Sequence, residues 1–256
     1  MGVTPTSNMD QIKHRIREAW ERGATSYDEQ YGHGLRSTDE HDAWSLLLRR
    51  LLPPEPPLQV LDVGTGTGFL AILLAELGHT VTGIDISESM LRVAHEKATR
   101  LGITVDFRES DAHALPFPDA SFDAVVSRHL LWTLLEPERA VREWARVTRP
   151  GGRVLAIDGI WQGESLIDHV IALLSHLVGQ ITRAQRDHRY PEEARRRLPL
   201  WRVRSPQPAC NVFARAGLHH IRSEELTWID AVERRAMPLW ERLQHRYRRY
   251  LVEAER

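Results

Sequence analysis

Apolar residues recur at helical spacing near the N-terminus. Beyond residue 58 they gather into short apolar runs separated by longer amphipathic stretches. Ile12, Ile16 and Trp20 fall four residues apart, as on one helix face. After a break at 23–34 that contains glycine and tyrosine, residues 43–52 resume a helical pattern. Pro53-Pro54-Glu55-Pro56-Pro57 ends that helix, because proline has no N–H and blocks the preceding turn. The apolar runs predict strands at 59–63, 80–84, 104–109, 124–127 and 153–158, with helices at 69–77, 87–101 and 137–148. Parallel neighbours need crossovers of about this length, so the pattern predicts an α/β fold with a mostly parallel sheet and helices on both faces. Pro150-Gly151-Gly152 supplies the reversal before the fifth strand.

Past residue 158 the pattern is weaker. Residues 165–180 are strongly apolar and predict a helix capping a pocket. Residues 183–204, Arg-rich with Tyr190 and Trp201, predict a lid. Together they outline a helical insertion over about 162–205. Residues 211–216 read as a helix stopped by Gly217. Residues 219–228 and 247–254 read as two last strands joined by 230–246. The expected organisation is an N-terminal helical cap over 1–57 and one main domain over 58–256.

Composition narrows the class. A chain of 256 residues, 42% hydrophobic, can bury a sizeable core. No apolar run approaches the roughly 18 to 20 residues of a membrane span. The opening MGVTPTSNMD lacks the basic flank and apolar stretch of a signal peptide. A single cysteine, Cys210, allows neither an internal disulfide nor a thiolate metal cluster. These features predict a cytoplasmic protein. Net charge is −1, with residues 1–180 acidic and 181–256 basic. A basic tail can steer an anion or RNA, but a solvated arginine-rich surface is the simpler reading, and nucleic acid is disfavoured as a partner. His219 and His220 are neighbours in a strand pattern and point to opposite faces. With no H-E-x-x-H, no metal site is expected.

The chemistry concentrates in Val60-Leu61-Asp62-Val63-Gly64-Thr65-Gly66-Thr67-Gly68-Phe69, a buried strand running through glycines into a helix. Glycines let the backbone turn tightly and let a ligand approach. Phe69 stands where a dinucleotide fingerprint has its third glycine, and Asp62 precedes the turn. A pyrophosphate is repelled by such a carboxylate, whereas S-adenosylmethionine has no phosphate and carries an ammonium and a sulfonium. Asp85 ends the second strand, where a carboxylate accepts from ribose hydroxyls; the alternative is a helix N-cap, for which Ser87 is also suited. Asp111, at the edge of the third strand, can accept from an adenine amino group while Ala112 offers a backbone donor. Ligands of open α/β sheets bind at such strand ends.

On Leu61–Gly68, Gly83–Met90, Asp111–Ser127 and Glu143–Gly152 (EWARVTRPGG), the chain resembles the class I S-adenosylmethionine-dependent methyltransferases of the methyltransferase type 11, ubiquinone/menaquinone-methyltransferase-like superfamily. The resemblance covers about residues 58–158. It implies a Rossmann-like sheet of seven strands, six parallel and one antiparallel. It adds Thr65, Ile86 and Met90 to Gly64, Gly66 and Gly68 as donor contacts, and sets Arg128 and His129 beside the methionine portion. Tyr27 would fold over the donor and His33 would face the acceptor. His129 is the first candidate general base, with an unperturbed pKa of about 6.5, and His33 the second. The family often has histidine near Trp132, and this chain departs from it there. The expected activity is methyl transfer to an O, N or C nucleophile of a small-molecule acceptor, releasing S-adenosylhomocysteine. RNA or protein methylation and a nicotinamide-dependent oxidoreductase are the alternatives. The acceptor stays open on the sequence, as does the oligomeric state, a homo-oligomer included.

Overall fold

The computed structural model describes residues 8–161, 192–201, 203–238, 242 and 247–256. The predicted helix at 165–180, most of the expected insertion and lid, and the end of the 230–246 connection lie outside them.

Helix α1 (Asn8–Gly23) is followed by a 3-10 turn (Ala24–Glu29) and α2 (Thr38–Leu51). Ser37 caps α2, its hydroxyl accepting from the Glu40 amide at 3.2 Å. Strand β1 (Gln59–Val63) then leads into α3 (Phe69–Glu76), β2 (Thr80–Asp85), α4 (Glu88–Leu101), β3 (Asp106–Glu109), β4 (Phe122–Arg128), α5 (Pro137–Val147) and β5 (Thr148–Trp161). The remainder is α6 (Glu192–Arg197), α7 (Gln207–Arg215), β6 (His219–Glu225), α8 (Thr227–Ala236) and β7 (Tyr247–Glu255).

The strands form one seven-stranded sheet in the order β3-β2-β1-β4-β5-β7-β6. Pairings from β3 through β5 are parallel, and β7 runs antiparallel to both β5 and β6. The Rossmann-like expectation of six parallel strands and one antiparallel is met. Some boundaries differ. The last strand expected at 219–228 stops at Glu225, and Thr227 begins α8, a helix the sequence reading missed. The expected helix at 211–216 starts earlier, at Gln207 behind Pro206. The strand expected at 104–109 is shorter, and the one expected at 153–158 extends from Thr148 to Trp161.

Side-chain alternation along the strands builds a core on each face. Leu61, Val63, Val125 and Ala156 face α1 and α5, packing with Ile12, Ile16, Val141 and Trp144. Val60, Val81, Ala124 and Leu155 face α2, α3 and α4, packing with Trp44, Leu47, Leu70 and Ala94. The two N-terminal helices therefore divide between the cores, α1 joining the first and α2 the second. Leu198, Leu200 and Val203, at the C-terminal end of the expected insertion, join the first core, where Trp201 meets Trp132 at 5.0 Å between ring centroids. Among the described residues no helix is long and apolar enough to cross a membrane, and no group of acidic, histidine or cysteine side chains could hold a metal ion.

Candidate active site

A cleft opens at the carboxyl ends of the central strands, lined by Tyr27, Gly64, Gly66, Asp85, Ile86, Met90, Asp111, Ala112, Arg128 and His129, with Lys13, Ile16, Trp20, Leu130 and Leu134 among their neighbours. Since the sheet order is β3-β2-β1-β4, its floor reads as a row of strand tips: Asp111 after β3, Asp85 ending β2, the glycine turn after β1, Arg128 ending β4.

The turn is built by backbone geometry. Gly64, Gly66 and Gly68 have φ of +69°, +56° and +82°, in the left-handed region that side chains rarely adopt. Their surroundings separate their roles. A Cβ on Gly64 would strike Leu130 at 2.9 Å, and one on Gly68 would crowd Phe107 and Ala94. A Cβ on Gly66 would meet nothing within 4 Å, since it would project into the open cleft. That clear face is where a nucleoside can lie against the backbone.

Asp62, Thr65 and Gly68 lie beneath the turn and are not among the residues that line the cleft. Asp62 is 1% exposed. Its Oδ2 accepts from the Thr65 hydroxyl at 2.7 Å and from the Ala71 amide in the first turn of α3 at 3.1 Å. The carboxylate satisfies one amide that α3 would otherwise leave open. Burial pushes its pKa up to about 7. Gly83 was not anticipated: a Cβ there would strike Phe107 at 2.8 Å and the Thr65 hydroxyl at 2.9 Å.

Asp85 remains on the wall. One oxygen accepts from the Gly66 amide and the other from the Ser87 amide, both at 2.9 Å, which fixes the carboxylate across the mouth of the turn. Burial raises its pKa to about 6. Ser87 serves as the N-cap of α4, accepting from Met90 at 3.2 Å, so the two readings of this segment divide between two residues. Burial would raise the Asp111 carboxyl too. Hydrogen bonds from His113 (Nδ1 at 2.7 Å, amide at 2.9 Å) and from Lys13 at 3.0 Å instead hold it well below its usual range. Lys13 reaches it from α1. The other lysine of the chain, Lys97, pairs at 2.7 Å with Asp28, which accepts from Thr67 at 2.6 Å. Lys13 thus ties α1 to the tip of β3 and Lys97 ties α4 to the 3-10 turn, a role that sequence spacing gave no means to see.

The far end of the row gathers the remaining candidates. His129 adopts φ +56° and donates its amide to Ile157 at 2.9 Å, turning the chain at the tip of β4. Its ring is buried with Nδ1 3.8 Å from the Asp158 carboxylate. Burial, then the charge of Arg128, pull its pKa well below normal, so the imidazole is neutral. Asp158 accepts from the Trp132 and Gly159 amides at 3.1 and 2.8 Å, and burial raises its pKa to about 7. His33 is not on the cleft wall, but its ring lies 5.4 Å from that of His129 and, edge-on, 4.4 Å from that of Tyr27, so it bridges the other two candidates. Burial raises the Tyr27 phenol, which stays protonated.

Arg249, overlooked in the sequence, is fully buried between Asp230 and Glu233, each at 2.6 Å, and reaches the Gly32 carbonyl at 3.4 Å. Trp44 donates to Glu233 at 3.2 Å. The basic tail is partly neutralised: Arg196, Arg215 and Arg248 pair with Glu192, Glu138 and Glu225. His220 contacts Glu255 at 3.0 Å.

The arrangement is that of a nucleoside-dependent methyl-transfer enzyme, and comparison with known proteins agrees. A methyltransferase domain family matches residues 61–156. The chain is 31% identical over 224 residues to the ubiquinone/menaquinone biosynthesis C-methyltransferase UbiE of Methylobacterium nodulans, covering 83% of this chain and 86% of that protein. It is 43% identical over 104 residues to a demethylmenaquinone methyltransferase of Thermus thermophilus, covering 40% of this chain but 47% of that one. Among solved structures, phosphoethanolamine N-methyltransferase 2 of Haemonchus contortus superposes with a TM-score of 0.66 at 20% identity, over 94% of this chain and 60% of that one, which supports the fold. The chain belongs to the UbiE-like class I S-adenosylmethionine-dependent methyltransferases. Its methyl donor is S-adenosylmethionine, and the oxidoreductase alternative falls away.

Proposed function

We propose that the cleft binds S-adenosylmethionine with its adenine toward Asp111 and Ala112 and its ribose at Asp85, and that a small-molecule acceptor enters beside His129 and His33. The observation that carries this reading is the row of strand tips, two acids and then a turn whose central glycine faces open space. The donor, when bound, supplies an electrophilic methyl on a sulfonium leaving group. The chain's own task is alignment, exclusion of water and, for a protic acceptor, removal of a proton. Neutral His129 can take that proton at a ring nitrogen, and Asp158 behind it stabilises the imidazolium that forms. Tyr27, packed edge-on against Trp20 and His33, closes the methionine end against water. The name of the Methylobacterium nodulans relative makes a carbon nucleophile the first acceptor to try.

Thermal unfolding with added nucleosides tests the reading. S-adenosylhomocysteine at about 100 times its Kd raises stability by about 2.7 kcal/mol, and NAD leaves it unchanged. A shift produced by NAD alone would refute the proposed cleft.

A further inference from the structure

Both oxygens of the Asp111 carboxylate have partners within the chain. Oδ1 accepts from the His113 amide at 2.9 Å and from His113 Nδ1 at 2.7 Å. Oδ2, the oxygen that His113 leaves open, accepts from Lys13 Nζ at 3.0 Å. Lys13 comes from α1, on a face where Lys13, Ile16 and Trp20 together line the cleft. The helix is fastened at several points. Ile12 and Ile16 pack in the first core, and Arg17 pairs with Glu109 at 2.8 Å. Glu21 accepts from the Glu88 and Ser89 amides at 3.0 and 3.1 Å. These contacts set the Lys13 ammonium over the tip of β3.

An ammonium and the 6-amino group of a purine are both donors, so they compete for one carboxylate oxygen. A 6-oxo purine behaves in the opposite way. Its carbonyl is an acceptor, which a carboxylate repels and an ammonium attracts. The Lys13–Asp111 pair thus offers a donor and an acceptor at the same edge of the base. Lysine suits such an exchange. Lys13 and Lys97 are the only lysines in a chain rich in arginine. An arginine can grip a carboxylate through two parallel hydrogen bonds, whereas a lysine holds it by a point charge on a flexible stem.

We propose that Lys13 sets the purine specificity of the cleft by competing with the donor's 6-amino group for Asp111 Oδ2. The lysine yields that oxygen when the adenine form binds, and it would hold the carbonyl of a 6-oxo form. Its effect therefore has opposite sign for the two kinds of base. This inference rests on the donor reading, which sets adenine at Asp111.

Calorimetry with two ligands tests it. S-adenosylhomocysteine carries the 6-amino group, and S-inosylhomocysteine replaces it with a 6-oxo group and is otherwise alike. Lys13→Met keeps the length of the side chain and removes its charge. Affinity for S-adenosylhomocysteine should rise about two- to fivefold, the scale of a part-exposed ion pair that no longer competes. Affinity for S-inosylhomocysteine should fall, so the preference for the adenine form widens by roughly tenfold, the scale of a hydrogen bond to a charged group. Lys13→Arg keeps both charge and pairing, and the preference should not exceed that of the wild type. A purely structural defect would move both ligands the same way. An unchanged preference in Lys13→Met, or a widened one in Lys13→Arg, overturns the role of Lys13 and leaves donor binding standing. Binding of neither ligand to the wild type overturns both.

Discussion

The side of the cleft along β1 to β3 and the surroundings of the tip of β4 are built in opposite ways. Gly64, Gly66, Asp85, Ile86, Met90, Asp111 and Ala112 come from one stretch of chain, each at a strand tip or the first turn after it. Backbone conformation places them, through positive φ in the turn and an N-cap at Ser87. Tyr27, His33, Arg128, His129, Asp158 and Arg249 come from across the chain and are positioned by buried charge and ring stacking. The first half is a local motif that can be read from residue spacing. The second depends on the completed tertiary structure.

That contrast can be broken at three points, in decreasing order of effect. Gly66→Val places a β-branched side chain at positive φ and fills the clear face of the turn. Donor affinity measured by calorimetry should fall by at least about 100-fold, with backbone strain of about 1 to 3 kcal/mol added. Near-normal affinity would show that the ligand does not lie on this turn. His129→Ala should slow turnover about 100-fold, the usual scale for a lost general base, while donor Kd changes little. Equal losses in both would reduce His129 to packing.

The third point is electrostatic. Asp158 has a pKa near 7 in the folded chain, above its ordinary 3.8. Between those values the native state binds a proton that the unfolded chain lacks, so Asp158 weighs against folding increasingly as pH rises toward 7. Asp158→Asn removes that term. Its stability relative to wild type should therefore improve by about 2 to 3 kcal/mol between pH 5 and pH 8, measured by urea unfolding. A difference independent of pH would mean that the carboxyl titrates normally.

The same division explains what the sequence disclosed. Alternating strands and helices, the glycine spacing and the acids at strand ends were legible because each follows from local periodicity or conformation. The structural role of Asp62 was hidden because its position before the turn suits a ligand ammonium as well as it suits Thr65 and Ala71. Only the fold shows that α3 claims its oxygen. Helix α8 was hidden because Thr227 follows the strand after a single residue, leaving no polar break. Arg249 looked like one arginine in a basic tail. Nothing in spacing tells that Asp230 and Glu233 of α8 and Gly32 of the N-terminal region converge on it.

The contact of both Arg128 and Arg249 with one carbonyl, that of Gly32, has a practical meaning for anyone redesigning this enzyme. The segment matched by the family, residues 61–156, is tied to both ends of the chain, because Arg128 within it and Arg249 of β7 hold one carbonyl of the N-terminal region. A change at Gly32 is therefore felt at once at the tip of β4 and on β7, two places more than a hundred residues apart in the chain.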